Sequence, residues 1–483
     1  MGKIINFKLT SKILSRNVFI VSISILACSV IALIYSEPIY PFLISFLISF
    51  VIALILMIIS KQEKHIAELN RKDAYFTVTA SWILMTLIGC LPYVISGSIP
   101  AFIDAFFESA SGFTTTGSSI LTDIEALPKS ILFWRSLTHW IGGIGIIVLV
   151  ILIMPTLQIG GYQLFTMESS LQEKIHPKIK SVGQRILAIY VLLTIAEVFL
   201  LLLGKMNLFD SVCHAFGTIA TGGFSPKNTS IAEYSPYIQY VVMIFMLLAG
   251  TNFVIHYYIL KREFGKVKEN EELRFYYSAV FVIGFIITLA LFFKMNKPFE
   301  EAFRESFFQV ISIVTCTGFA TTDYLNWPVF AWVIIFIIMF LGGSTGSTAG
   351  GIKMARHLVL FKNIHRNFRE IFHPKAIFHL RINGRSINDE TNNTILTFIT
   401  VYFAVFVIGS ILVVVTGVDM RTASSSVATC MAGIGPGIGT VGPASNFAHL
   451  PGISKIILSF LMIIGRLEIY TVIILFTKRF WEH

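Results

Sequence analysis

Charge is scarce in this chain. Asp, Glu, Lys and Arg make up 13% of its 483 residues, whereas 55% are hydrophobic. Soluble domains carry roughly twice that share of charge. A soluble nucleic-acid binder is therefore excluded, despite the net charge of +10. Cysteine is also sparse. The five thiols, Cys28, Cys90, Cys213, Cys316 and Cys430, are odd in number and show no CxxC spacing, which excludes a disulfide framework and a cysteine zinc site. No helical His-Glu-x-x-His and no carboxylate pair in a pocket context is present, so nothing points to an enzyme. No Gly-x-Gly-x-x-Gly follows a strand. The stretch Gly346–Lys353 lacks the Gly-Lys-Ser/Thr ending of a phosphate loop, so no nucleotide is expected on this chain.

What the chain has is apolar length. Ten stretches approach or exceed the roughly 20 residues that cross a bilayer: about 17–36, 41–60, 75–96, 131–155, 186–204, 236–260, 275–293, 328–361, 391–416 and 453–479. The basic residues cluster between them. The clusters are Lys61, Lys64, Arg71 and Lys72; Lys174, Lys178, Lys180 and Arg185; Lys261, Arg262, Lys266, Lys268 and Arg274; and Lys353, Arg356, Lys362, Arg366, Arg369, Lys375, Arg381 and Arg385. Since basic loops stay in the cytoplasm, these clusters and both termini are expected inside. A cleaved leader competes for residues 1–35, but the apolar run is long and leads directly into another crossing. The first two crossings read as an accessory hairpin.

Four short polar segments recur between crossings: Gly112–Gly117, Thr218–Phe224, Thr315–Phe319 and Ala432–Gly437. Their key glycines, Gly117, Gly223, Gly318 and Gly435, lie 106, 95 and 117 residues apart. Before each segment lies an amphipathic piece too short to span, about 101–112, 208–218, 301–314 and 420–431. Irregular backbone at membrane depth is tolerated only where it is buried or lines water. Four such units in parallel predict an all-α membrane protein, with four helix–pore-loop–helix repeats around one central pore plus the N-terminal two-helix hairpin. The domains are then 1–70 (hairpin), 71–160, 161–265, 266–385 and 386–483 (repeats one to four).

Thirteen residues before the glycines stand Asp104, Asp210, Glu305 and Thr422. These residue types cap a half-helix or place negative charge at its positive end. Half-helices would then aim partly negative ends at the pore centre, which favours a cation. Candidate ligands are the carbonyls of Thr115, Thr116, Thr221, Gly222, Cys316, Thr317, Gly433 and Ile434, with Gly117, Gly223, Gly318 and Gly435 supplying the positive φ that turns carbonyls inward. A second candidate is the run of small residues that breaks the stretch 328–361: Gly343, Ser344, Thr345, Gly346, Ser347, Thr348, Gly350 and Gly351. A helix broken mid-membrane must line a cavity, and this loop is expected to occlude the pore as a gate. Arg466 lies inside the last crossing near Glu468, and an intramembrane arginine needs a partner or water. His139 and His214 are expected to be structural. Glu197, inside a crossing, is either a proton site or a hydrogen-bonded structural group.

These segments carry a family resemblance. Ser-Gly-Phe-Thr-Thr-Thr-Gly (111–117), Ala-Thr-Gly-Gly-Phe-Ser (220–225), Thr-Gly-Phe (317–319) and Gly-Pro-Gly-Ile-Gly (435–439) occur in order. With them come His139–Gly145, Gly343–Lys353, His373–Ala376 and Gly465–Glu468. The chain resembles the TrkH/TrkG-type subunits of the Trk/Ktr/HKT superfamily of potassium transporters over essentially its whole length. The resemblance implies K+ as the transported ion, held at the filter carbonyls, and a homodimer in the bacterial cytoplasmic (inner) membrane. It also implies a cytoplasmic TrkA-type regulatory ring binding NAD(H) or adenine nucleotides; the basic segment Lys362–Arg385, interspersed with phenylalanines, suits either anionic lipid headgroups or that partner, and the resemblance favours the partner. In the family an arginine matching Arg466 helps hold the pore loop closed. One departure is visible: Ala432-Gly433 stands where asparagine is expected, which makes the fourth wall the one to inspect. A cation-coupled secondary transporter of a small solute is the competing class. It predicts inverted repeats and acids beside the breaks.

Overall fold

The computed structural model describes residues 5–60, 70–148, 175–376 and 378–482. Lys61, Lys64, Lys174 and residues 149–155 of the fourth apolar stretch lie outside them. Each repeat is an outer helix, a half-helix and an inner helix. The outer helices are Arg71–Gly89 (continued by Leu91–Ile95), Ile175–Leu203, Glu271–Met295 and Asp389–Val415. Asn270 and Asn388 cap the third and fourth by accepting from the N–H of Leu273 and Thr391. Ile195, Phe199, Phe293, Ile411 and Val415 on these helices are exposed. Large bare apolar faces of this kind suit lipid rather than water.

The half-helices are Phe102–Phe113, Leu208–Ile219, Phe299–Val314 and Met420–Ala432, within two residues of the expected bounds. They are buried along most of their length, the run Ser425–Ala432 throughout. Asp104 and Asp210 lie in the first turns, where their charge meets the positive helix end, but they do not form the caps. Asn207 and Asp419 cap the second and fourth, accepting from the N–H of Asp210 and Thr422, whereas the first and third have no side-chain cap. Asp104 is instead 2.6 Å from Lys455 Nζ, and Glu305 is 2.7 Å from Lys297 Nζ. Lysines thus offset much of the negative charge that the shared register promised.

The inner helices depart most from the expected continuous crossings. The first, Lys129–Val148, is continuous over its described length. The second bends by 101° between Pro236–Ala249 and Phe253–Leu260, and the fourth by 115° between Gly452–Arg466 and Ile469–Phe476. The third is split into Val329–Ile338 and Met354–Phe372. Asn252 recaps the chain after the second break by accepting from Val254 N, and Glu468 takes up the fourth turn at φ +62°. Six described helices are long and apolar enough to cross a membrane, or eight if each bent pair counts as one. Hydropathy averages over a break of a few residues, so the ten expected spans included these bent pairs as straight ones.

The N-terminal hairpin, Phe7–Ile34 and Tyr40–Ser60, is bolted to the first repeat by polar groups. Thr10 bonds Thr77 at 3.0 Å and Asn17 bonds Ser81 at 3.0 Å. At its tip, the Glu37 carboxylate accepts from Lys129 N (2.6 Å) and Ser130 N (2.9 Å), capping the first inner helix from outside. The strands among the described residues are one small hairpin, Arg381–Ile382 against Arg385–Ser386.

Candidate functional site

The four polar segments meet. Each is pinned to its own half-helix by the same bond, from the N–H just before the key glycine to a carbonyl five residues back. These bonds are Thr116 N to Ser111 O (2.8 Å), Gly222 N to Gly217 O (2.8 Å), Thr317 N to Ser312 O (2.8 Å) and Ile434 N to Thr429 O (3.0 Å). The backbone alternates identically. Gly117, Gly223, Gly318 and Gly435 have φ of 83°, 78°, 82° and 101°, and two residues earlier Thr115, Thr221, Cys316 and Gly433 have 52°, 54°, 57° and 71°. A left-handed conformation costs a side-chain-bearing residue roughly 1–2 kcal/mol, and three segments bear that cost once each, at Thr115, Thr221 and Cys316. Gly433 relieves it in the fourth, so the departure there reproduces the shared backbone.

The segments also lock to one another. A Cβ added to Gly117 would overlap the carbonyl oxygen of Gly222, one on Gly223 that of Thr317, and one on Gly318 that of Ile434. On Gly435 it would stand 2.9 Å from the carbonyl oxygen of Thr116. Each target is the residue just before the next glycine, and the fourth contact returns to the first segment. The result is a closed ring of backbone carbonyls with four-fold pseudo-symmetry. All four glycines line one cavity of about 220 Å³.

Behind the ring the repeats differ. Nine residues before the key glycines stand Glu108, His214, Gln309 and Ser426. Glu108, wholly buried, accepts from Arg135 Nε (2.6 Å), Ser119 Oγ (3.0 Å) and Ile120 N (3.0 Å). Arg135 then donates to Ser225 O at 2.9 Å and lies 3.6 Å over the Phe224 ring. A buried charge without a partner would cost several kcal/mol; here two charges and their hydrogen bonds tie the exits of the first and second segments together. His214 bonds Asp210 O at 2.8 Å and Ser225 Oγ at 3.0 Å, and His139 stacks on Phe224 at 4.0 Å. Both histidines are thereby held in place behind the second segment. Beyond the ring, Lys227 sits 2.9 Å from Glu125 and holds its carboxyl below the usual range; Asn228 does the same to Asp123. The column headed by Glu108 was missed in the sequence, although alignment on the glycines brings it out.

The broken third inner helix places Gly342–Gly351 against the base of the ring. Thr348 Oγ1 donates to Ile219 O (3.0 Å) and Ala249 O (3.2 Å), at the ends of the second half-helix and of Pro236–Ala249. A Cβ on Gly350 would overlap Ala432 O, and one on Gly351 would lie 3.5 Å from Cys316 Sγ. The loop therefore touches the second, third and fourth segments from one side. Ser344 N bonds Gly250 O at 2.9 Å, and Phe253 N bonds Gly346 O at 3.2 Å, which ties the loop to the bend in the second inner helix. Arg466 donates to Thr348 O at 2.7 Å. The expected neighbour Glu468 pairs instead with Arg356. Glu272, unremarked in the sequence, accepts from Thr345 N (2.6 Å), Thr345 Oγ1 (3.1 Å) and Ala355 N (3.0 Å). Glu197 is fully buried, and neither carboxylate oxygen has a hydrogen-bond partner among the described residues. No cluster of His, Cys, Asp and Glu suited to a metal is found among the described residues.

Known proteins resemble this chain in sequence and in fold. The family model TrkH, described as a cation transport protein, matches residues 42–482. The Trk system potassium uptake protein TrkH of Escherichia coli K12 is 37% identical over 426 residues, covering 87% of this chain and 88% of that protein. TrkG of the same organism is 34% identical over 473 residues, covering 96% of each. The crystal structure of the potassium transporter TrkH from Vibrio parahaemolyticus superposes with a TM-score of 0.91 at 31% identity, covering 99% of this chain and 100% of that one.

Proposed function

The chain belongs to the TrkH family of cation transport proteins, and from that premise we propose that it takes up potassium across a bacterial cytoplasmic membrane through the ring of four segments. It is a transporter, not an enzyme. The observation that carries the reading is the closed ring, in which each of four glycines abuts the carbonyl of the next segment. Potassium sheds its hydration shell only where several carbonyl oxygens replace it together. In this reading the carbonyls of Thr115 and Thr116, Thr221 and Gly222, Cys316 and Thr317, and Gly433 and Ile434 are the ligands. Four half-helices ending at the ring add the negative ends of their dipoles. The lysines beside Asp104 and Glu305 leave the carbonyls as the main source of attraction.

The Gly342–Gly351 loop is the gate, held under the ring by Arg466. The basic segment Lys362–Arg385 faces the cytoplasm with both termini, and receives a regulatory subunit that binds the controlling nucleotide. Two copies associate in the membrane. The four-segment ring of backbone carbonyls favours this reading over a coupled solute carrier.

The test is Rb+ uptake at low external K+ in cells lacking their own potassium uptake systems, with a cognate regulatory subunit supplied. Wild type restores uptake and Gly318→Ser weakens it. No uptake by the wild type would overturn the potassium assignment.

A further inference from the structure

The loop has a second hold besides Arg466. Glu272 is 1% exposed and lies in the first turn of the third outer helix, Glu271–Met295. Its Oε1 accepts three hydrogen bonds, two from Thr345 within the loop and one from Ala355 N just after it. Ala355 is the second residue of the helix Met354–Phe372, whose N-cap position, Lys353, makes no side-chain cap bond. Helix N-termini leave N–H groups unpaired and favour negative charge. Glu272 supplies that cap from another helix, and the same oxygen holds the loop. The loop cannot swing away from the ring without leaving a buried carboxylate short of its donors.

We propose that Glu272 is a positioning residue of the gate, a latch that fastens the Gly342–Gly351 loop and the start of Met354–Phe372 to the third outer helix in the closed state. The assignment rests on the reading of that loop as a gate. It gives the loop two anchors of opposite charge: Arg466 donates to the carbonyl of Thr348, and Glu272 accepts at Thr345 and Ala355. The neighbouring Glu271 pairs with Lys362 and accepts from Asn383 N at 3.1 Å. One helical turn thus joins the latch to the small hairpin at Arg381–Ser386.

The experiment is Rb+ flux into liposomes holding the purified full chain, without a regulatory subunit. It is paired with thiol labelling of a cysteine placed at Ser347. Glu272→Ala is expected to raise basal flux by about tenfold, the size expected for losing a charge-assisted hydrogen bond, and to expose the Ser347 position to reagent. Glu272→Gln keeps an oxygen acceptor for all three donors, so it recovers most of the restraint. Should the alanine variant fail to accumulate, Glu272→Asp retracts the oxygen by one methylene and is also expected to raise flux and labelling. Wild-type flux and labelling in a well-folded Ala or Asp variant, with Arg466→Ala still faster than wild type, would overturn the latch alone. Unchanged flux in Arg466→Ala and in a loop-shortened variant as well would overturn the gate reading beneath it.

Discussion

The ring of four segments and the loop beneath it are both irregular backbone buried in an apolar protein, but one is secured by repetition and the other by single bonds. The ring repeats one solution four times: the same φ alternation, the same bond back to the half-helix, the same glycine against the next carbonyl. Its contacts are backbone on backbone and leave no slack. The loop occurs once: backbone bonds from Ser344 N to Gly250 O and from Phe253 N to Gly346 O tie it to the bend in the second inner helix, and single side-chain bonds of Thr348, Arg466 and Glu272 fasten the rest. A part that must hold ions at fixed distances gains from redundancy and rigidity. A part that must move gains from a small number of breakable bonds, each about 1–3 kcal/mol.

Substitution at the ring glycines tests the rigid side of this contrast and carries the largest expected effect. Serine at Gly318, Gly223 or Gly117 drives a Cβ into a carbonyl, and overpacking of this kind costs about 1–3 kcal/mol. K+ over Na+ discrimination in Rb+/Na+ competition falls by about tenfold or more at these positions. Gly435→Ser, with 2.9 Å of clearance, loses less. Equal loss at all four would mean that φ, rather than contact, sets the geometry. On the movable side, Arg466→Ala removes one charged hydrogen bond and raises basal flux by about tenfold with selectivity kept. A change in selectivity instead would merge the two regions into one. Gly433→Ala is milder. Its Cβ would meet nothing closer than 3.8 Å, so only the left-handed backbone is penalised, by roughly 1 kcal/mol, read as a small drop in melting temperature. The weakest effect lies outside both regions, at Glu125. Its carboxyl is held low by Lys227, so the stability this adds is present above the unfolded pKa and fades as pH falls through the folded one. Exposed pairs contribute at most about 1 kcal/mol, and Glu125→Gln should shift the acid limb of stability only slightly.

The four glycines and the half-helices were legible in the sequence because they repeat. A short amphipathic piece ending in a polar segment has few meanings once it recurs at intervals near a hundred residues. The breaks at Thr251 and Glu468 were not legible, since a hydropathy window averages across them. Nor was the fate of Asp104 and Glu305: their lysines, Lys455 and Lys297, reach them from another helix and from a turn before the half-helix. Glu272 drew no remark in the sequence, because its partners lie 73 and 83 positions away. Repetition reveals what each repeat does for itself, and single long-range bonds reveal themselves only in three dimensions.

The closing contact of the ring sets Gly435 against Thr116, so the fourth segment touches the first as well as the third. Three segments alone have no fourth wall, and a product lacking the fourth repeat has no closed ring to offer. The path is therefore a property of all four repeats together and of no subset of them.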